Sequence, residues 1–249
     1  MIDAPERNFS ARVAYDGTAY AGFQLQLNEP TVQGELEKAL AKVLGGEIRV
    51  HAASRTDAGA HSLGQVISFR GTTSLPAGEI ERAVNALLSS DIRIGPMVER
   101  DGDFHARFSA KGKRYIYRIY RGERESPFLN RYSLWVWGDL DVDRMKMAVS
   151  YFQGSRDYRS FSPRLNEGED PVKKLFGVWV EERGELLEIL MAGSGFLYQM
   201  ARRIAASLIE VAKGGLRQDE IDGWLANPEV GACKLLLPAK GLFLMEVMY

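Results

Sequence analysis

Two successive passes through the order strand, helix, strand, strand, helix, strand predict an α+β chain built of two ferredoxin-like (RRM-like) halves. Helical spacing of apolar residues alternates with short β-branched and aromatic runs. Glycine and proline punctuate the joins, and the pattern restarts after Phe104. The halves, residues 1–108 and 109–249, read as a pseudo-repeat. Their sheets can join into one mixed, mainly antiparallel sheet with a central cleft and the helices on one face.

In the first half, Ser10–Tyr15 reads as a strand closed by the turn Asp16-Gly17. Pro30-Thr31 opens a helix with Thr31 as N-cap, because a threonine hydroxyl can accept an otherwise unpaired N–H of the first turn. Val32, Leu36, Ala39, Leu40, Val43 and Leu44 recur on one helical face, and Gly45-Gly46 ends it. Strands are predicted at Ile48–Ala52 and Gln65–Phe69, a helix over Pro76–Leu88 with Ile80, Val84, Leu87 and Leu88 inward, and a strand at Ile92–Val98. The second half offers strands at Arg114–Tyr120 and Ser133–Trp137, then a helix over Asp141–Phe152 capped by Asp141. Strands at Val172–Val180 and Leu186–Met191 flank the turn Glu182–Glu185. A long helix spans Phe196–Ala212, a shorter one Gln218–Leu225, and Leu242–Val247 is the closing strand. Ser155–Pro171, rich in turn residues, reads as a flexible loop.

Hydrophobic content of 45% and charged content of 26% suit a water-soluble globular protein. The formal net charge of -1 gives no bulk attraction for nucleic acid, so any such surface must be local. The single Cys233 rules out an intrachain disulfide, fits a reducing compartment and reads as buried filler. Met1–Arg7 lacks the apolar core of a signal peptide, and no stretch reaches membrane-spanning length. A cytoplasmic location follows as the expectation.

The stretch Ser54-Arg55-Thr56-Asp57-Ala58-Gly59-Ala60-His61 has the composition of a site rather than a core. Flanked by strands, Asp57 is placed to act as a nucleophile or a base. Loop chemistry alone equally well, indeed better, accommodates an Asx turn in which Asp57 caps its own backbone. From Arg107 to Arg131, cations including Arg107, Lys111, Lys113 and Arg114 interleave with Tyr115, Tyr117 and Tyr120. That mixture suits RNA, since cations follow phosphates and ring faces stack on bases. A strand with one solvated charged face and one aromatic core face explains it equally well. Tyr115 and Tyr117 share a face, so at least one is core. Gly193-Ser194-Gly195 is either a weak phosphate-loop pattern or a strand-to-helix turn. Arg202 and Arg203, beside apolar Phe196, Met200 and Ile204, need a buried partner; a carboxylate such as Asp57 would serve. The histidines His51, His61 and His105 have no ligand spacing, so no metal site is expected.

The loop resembles the G-R-T-D-A-G-V-H signature of the tRNA pseudouridine synthase A family. Three further blocks match in order: Phe104–Ala110 leading into Arg114–Tyr117, Phe196–Arg202, and Pro238–Leu244. The resemblance covers nearly the whole chain. It implies an isomerase that converts uridine to pseudouridine at positions 38, 39 and 40 of the tRNA anticodon stem-loop. It also implies a homodimer with tRNA as partner, no cofactor and no membrane. By motif match Asp57 is the essential carboxylate and Arg55 helps to hold the target base out of the stem. Tyr115 stacks on the flipped uracil, Arg202 pairs with the catalytic carboxylate, and Leu242 lines the base pocket. Arg107, Lys111, Lys113 and Arg114 are expected to contact RNA. Ser54 stands where the family has glycine, Phe23 where it has Trp, and Ala60 where it has Val. None of these removes a catalytic group. A non-catalytic tRNA-binding protein and a small-molecule hydrolase are the rival readings.

Overall fold

A computed structural model describes residues 5–249, so the reading of the first four residues lies outside the described part. The chain is α+β, with mostly antiparallel strands and five α-helices among the described residues. It divides into two compact units: residues up to Lys111 together with Leu244–Tyr249, and Gly112–Phe243.

In the first unit, β1 (Glu6–Tyr15) lies between β4 (Ile92–Arg100) and β3 (His61–Thr72), antiparallel to both. The two-residue β2 (His51–Ala52) pairs with β3, giving the ferredoxin-like order β4-β1-β3-β2. The helices α1 (Val32–Leu44) and α2 (Ala77–Leu87) cover this sheet. Phe9, Val13, Leu36, Leu40, Ile67, Phe69, Ile80 and Val84 fill the core between them. Thr31 caps α1 as its sequence implies, its hydroxyl accepting from Gly34 N–H at 3.2 Å. Thr31→Ala leaves that donor unmet in a buried position, and chemical denaturation is expected to register a loss of about 1 kcal/mol.

Two expectations fail here for separable reasons. Ile48 and Val50 are buried, as an alternating strand requires, yet only His51–Ala52 enters the ladder. The Val50 N–H donates to the Glu37 carboxylate at 2.9 Å, and the Val50 carbonyl accepts from the Gln33 amide at 3.2 Å. Side chains of α1 have taken the place of a neighbouring strand. In α2, Leu88 is buried but Leu87 is 46% exposed, because the inward stripe ends at Val84 and resumes only past the helix end.

In the second unit, β5 (Gly112–Tyr120) pairs with β9 (Leu186–Gly193), β9 with β8 (Val172–Arg183), and β8 with β7 (Gly154–Asp157). The short β6 (Leu134–Trp135) runs parallel to β5. The helices are α3 (Val142–Ala148), capped by Asp141 and continued by a 3-10 turn to Phe152, then α4 (Met200–Ala212) and α5 (Gln218–Ala226). The chain closes with β10 (Leu242–Met248), which from Leu244 onward belongs to the first unit.

Part of the expected flexible loop is ordered: Gly154–Asp157 is an edge strand, and Tyr158 and Phe161 are fully buried. Phe161 packs edge-on against Phe152 at 5.4 Å and Trp224 at 5.9 Å, so distant rings organise a segment whose local composition reads as turn. The helix α4 begins at Met200 rather than Phe196. Gln199 adopts a left-handed backbone with φ of 61°, which ends the incoming turn and lets the helix start one residue later.

Candidate functional site

Residues 53–62 leave β2, turn, and enter β3, and their backbone is fixed along its length. Ala53 N–H bonds the Val66 carbonyl at 2.8 Å. The fully buried Gln65 amide then closes on Ser54 from both sides, accepting from its N–H at 3.1 Å and donating to its carbonyl at 2.7 Å. The Tyr15 and Thr56 hydroxyls bond each other at 2.7 Å. Burial pushes the Tyr15 phenol up to about 12, so that contact stays a neutral hydrogen bond across the working pH range. The Thr56 carbonyl accepts from Phe23 N–H, and Gly59 N–H donates to the Tyr20 carbonyl. Gly59 has φ of 78°, a conformation that glycine adopts without strain.

On the far side, Ser62 accepts from the N–H groups of Gly64 and Gln65 and donates to the Leu244 carbonyl at 3.1 Å. His61, fully buried, accepts from Gly17 N–H through Nδ1 at 3.1 Å. It is a loop anchor rather than a ligand. Asp57 is half-buried and Arg55 exposed at the middle of this fixed arc. The Asp57 carbonyl accepts from Ala60 N–H at 3.1 Å, which closes the turn through the main chain.

The second unit holds the other named residues. Tyr115, in β5, is buried and meets Phe196 edge-on at 4.9 Å. Tyr117 is fully buried and donates through its hydroxyl to the Pro238 carbonyl at 2.8 Å, so both tyrosines of that face are core-like. Arg202, in α4, is half-buried and donates through Nε to the Leu237 carbonyl at 2.8 Å. Burial pushes the Tyr117 hydroxyl up, and the nearby Arg202 charge opposes that shift. Leu242 is buried at the start of β10, just after Gly241. A Cβ on Gly241 would lie 2.8 Å from the Tyr117 ring, so only glycine permits that approach. The segment 237–242 therefore gathers Arg202, Tyr117 and Leu242 into one neighbourhood.

Arg203 differs from Arg202. It is buried, donating to the Cys233 carbonyl and to the Gln199 side chain at 3.2 Å, and anchors α4 to the segment around Cys233. The glycine pattern Gly193-Ser194-Gly195 is a connection: Ser194 is stitched to Lys174 through main chain and hydroxyl, five or more residues before α4 begins. Of the basic run, Arg118 is bound to Glu188 at 2.8 Å and Arg121 to Glu182 at 3.0 Å, which spends those charges within the sheet. Arg107 and Lys111 remain exposed, while Lys113 and Arg114 are half-buried.

Beside Arg55 the first unit also contains a cavity of about 300 Å³, lined among others by Arg49, His51, His105, Arg107 and Phe108. Sequence reasoning did not join these residues. The one available signal was the Phe104–Ala110 block, which holds His105, Arg107 and Phe108 but not their neighbours across the fold.

A sequence profile described as tRNA pseudouridine synthase matches residues 11–109 and 148–249. With that match over most of the chain, and the anchored Arg-Thr-Asp loop in its first segment, the chain belongs to the tRNA pseudouridine synthase family, whose members are isomerases. Its relatives narrow the class. The tRNA pseudouridine synthase A of Latilactobacillus sakei subsp. sakei is 41% identical over 250 residues, covering 98% of this chain and 99% of that protein. That of Geotalea uraniireducens is 40% identical over 244 residues, covering 98% and 100%. That of Ruminiclostridium cellulolyticum is 38% identical over 245 residues, again covering 98% and 100%.

Proposed function

We propose that this chain isomerises uridine to pseudouridine at positions 38, 39 and 40 of the anticodon stem-loop of tRNA, with Asp57 as the essential carboxylate. The observation that supports the reading most strongly is the Asp57 loop itself. Its backbone is held at Ala53, Ser54, Thr56, Gly59 and Ser62, while Arg55 and Asp57 are left partly accessible. A catalytic carboxylate needs that fixity, because a misplacement of about 1 Å can cost on the order of 100-fold in rate.

The reaction exchanges one bond at C1′ for another. The C1′–N1 bond breaks with participation of Asp57, the uracil turns within the pocket, and C5 bonds C1′. The hydrogen on C5 leaves as a proton and N1 gains one, so no oxidant, reductant or cofactor is needed. Arg55 helps to keep the target nucleotide extruded, at a cost of a few kcal/mol in lost stacking and pairing. Tyr115 offers a ring face to the uracil and Leu242 an apolar wall. Arg202 has the role of keeping the carboxylate ionised. Arg107, Lys111, Lys113 and Arg114 follow the RNA backbone. The halves 1–108 and 109–249 act as the domains, and the working form is a cytoplasmic homodimer on tRNA.

Position is tested with transcripts carrying 5-tritiated uridine. Replacing the uridines at 38, 39 and 40 by cytidine is expected to remove label release, whereas replacing uridines elsewhere leaves it unchanged. Release that persists without those uridines would move the target outside the anticodon stem-loop.

A further inference from the structure

The cavity in the first unit lies beside Arg55, and Asp57 is not among its lining residues. Its lining contains three arginines, Arg49, Arg55 and Arg107, and two histidines, His51 and His105, with no Asp or Glu. In a chain of net charge -1 the three guanidiniums are a local concentration of positive charge, which suits an anion. Glu37 lies 3.8 Å from the exposed Arg49, and its carboxylate already accepts from Val50 N–H and the Gln33 amide.

Aromatic faces stand beside the cations. The rings of His51 and His105 are 4.7 Å apart, and those of His105 and Phe108 are 4.4 Å apart, so three rings form a continuous row. Arg107 lies over the Phe108 ring at 5.6 Å. Phe108 is 76% exposed, so much of its ring is open to a stacking partner. The turn that carries the row is rigid. Ala106 N–H bonds the Ser68 hydroxyl at 3.0 Å, the Ala106 carbonyl accepts from the Tyr249 hydroxyl at 2.8 Å, and Asn8 holds the Phe104 carbonyl at 3.0 Å. His105 Nδ1 accepts from the N–H groups of Arg107 and Phe108, which leaves its proton on Nε2. Burial, then the neighbouring His51 and Arg107, hold its pKa below the usual value, so the His105 ring is a neutral stacking face beside the arginines.

We propose that this cavity is a binding subsite for one nucleotide of an unpaired RNA segment, its base stacked on Phe108 and His105 and its phosphate held by Arg49 and Arg107. Cations plus a ring platform are the combination that takes single-stranded nucleic acid, and the cavity volume of about 300 Å³ is at the lower end of small-ligand sites. Asp57 does not line the cavity, so its occupant is a nucleotide other than the isomerised uridine. The inference rests on the reading of the chain as a tRNA-modifying enzyme and extends it to a second point of contact.

The test uses the full chain with Phe108→Ala, Phe108→Trp and Arg49→Gln. All three change exposed side chains, and thermal unfolding confirms that each variant folds. Filter binding of a tRNA transcript and of heptauridylate is measured across a salt series. Phe108→Ala is expected to weaken both about tenfold, with Phe108→Trp restoring affinity, since stacking on one ring contributes that order of binding. Arg49→Gln is expected to lower the log–log salt slope by about one. Binding within about twofold of the natural chain, with an unchanged slope, would overturn the subsite. Competition by 5′-UMP separates the sources: a mononucleotide that binds as tightly as heptauridylate, and depends on Phe108, would reassign the cavity to a free nucleotide. Tritium release on the same preparations separates the two layers. Release by the natural chain with normal binding by the variants removes the subsite alone. No release, with binding that depends on Phe108, removes the enzyme reading and leaves the subsite.

Discussion

Asp57→Asn is expected to abolish pseudouridine formation while leaving the protein folded. The exchange keeps the shape of the side chain and removes its charge, so a step that needs a carboxylate loses roughly 10³-fold or more. The contacts that hold the loop belong mostly to the main chain and to other residues: Gln65 with Ser54, Tyr15 with Thr56, Gly59 with Tyr20, and the Asp57 carbonyl with Ala60. Asparagine leaves each of these in place. Urea denaturation is therefore expected to shift by less than about 1 kcal/mol. A larger loss of stability would mean that the side chain serves the turn, the Asx reading, and would undo the inference from lost activity to catalysis.

Gly17→Ala should do the opposite, damaging the site through the scaffold. A Cβ at Gly17 would sit 1.9 Å from the carbonyl oxygen of Ala60, a backbone atom that cannot swing aside as a side chain can. Gly17 also donates its N–H to His61, and Gly59 N–H donates to the Tyr20 carbonyl at 3.3 Å, so the turn after β1 and the Asp57 loop are joined at two points. Relief requires the loop to move. Overpacking of this kind costs about 3 kcal/mol, and displacement of Asp57 by about 1 Å costs on the order of 100-fold in kcat/KM. Gly78→Ala is the matched control: it lies in α2 with nothing within 4 Å of the added methyl. That change is expected to stabilise by up to about 1 kcal/mol with activity unaltered. If both glycines tolerate alanine equally, the close packing of the Asp57 loop against Gly17 is not what positions it.

The fold was readable where local chemistry and tertiary packing agree. The helix α1 is the clear case: Thr31 caps it, Leu36 and Leu40 face inward, and Gly45 ends it at φ of 76°. Strand character at Ile48–Ala52 was half readable. Alternation reports burial, which Ile48 and Val50 share, but it cannot report that Gln33 and Glu37 would take the backbone groups of Val50. The segment after Gly154 misled for the converse reason, since its order comes from Phe152 and Trp224 packing on Phe161 across the unit.

The site divides in the same way. Arg55 and Asp57 lie within three residues of each other, so their loop carried its own signature. His51, His105 and Phe108 stand more than fifty positions apart in part, and only the fold makes them a row. The net charge of -1 concealed that cluster, because acids elsewhere in the chain cancel it. Within the basic run, sequence could not distinguish Arg118 and Arg121, spent on Glu188 and Glu182, from the exposed Arg107.

The central claim is most directly tested by tritium release from a tRNA transcript made with 5-tritiated uridine, comparing the natural chain with Asp57→Ala. Forming the C5–C1′ bond expels the hydrogen at C5, so released label counts isomerisation events. The natural chain should release label from the anticodon stem-loop uridines, and Asp57→Ala should release none while still binding the tRNA. A natural chain that binds the transcript and releases no label would contradict the account, leaving a tRNA-binding protein in which Ser54, standing where the family has glycine, is the first residue to restore.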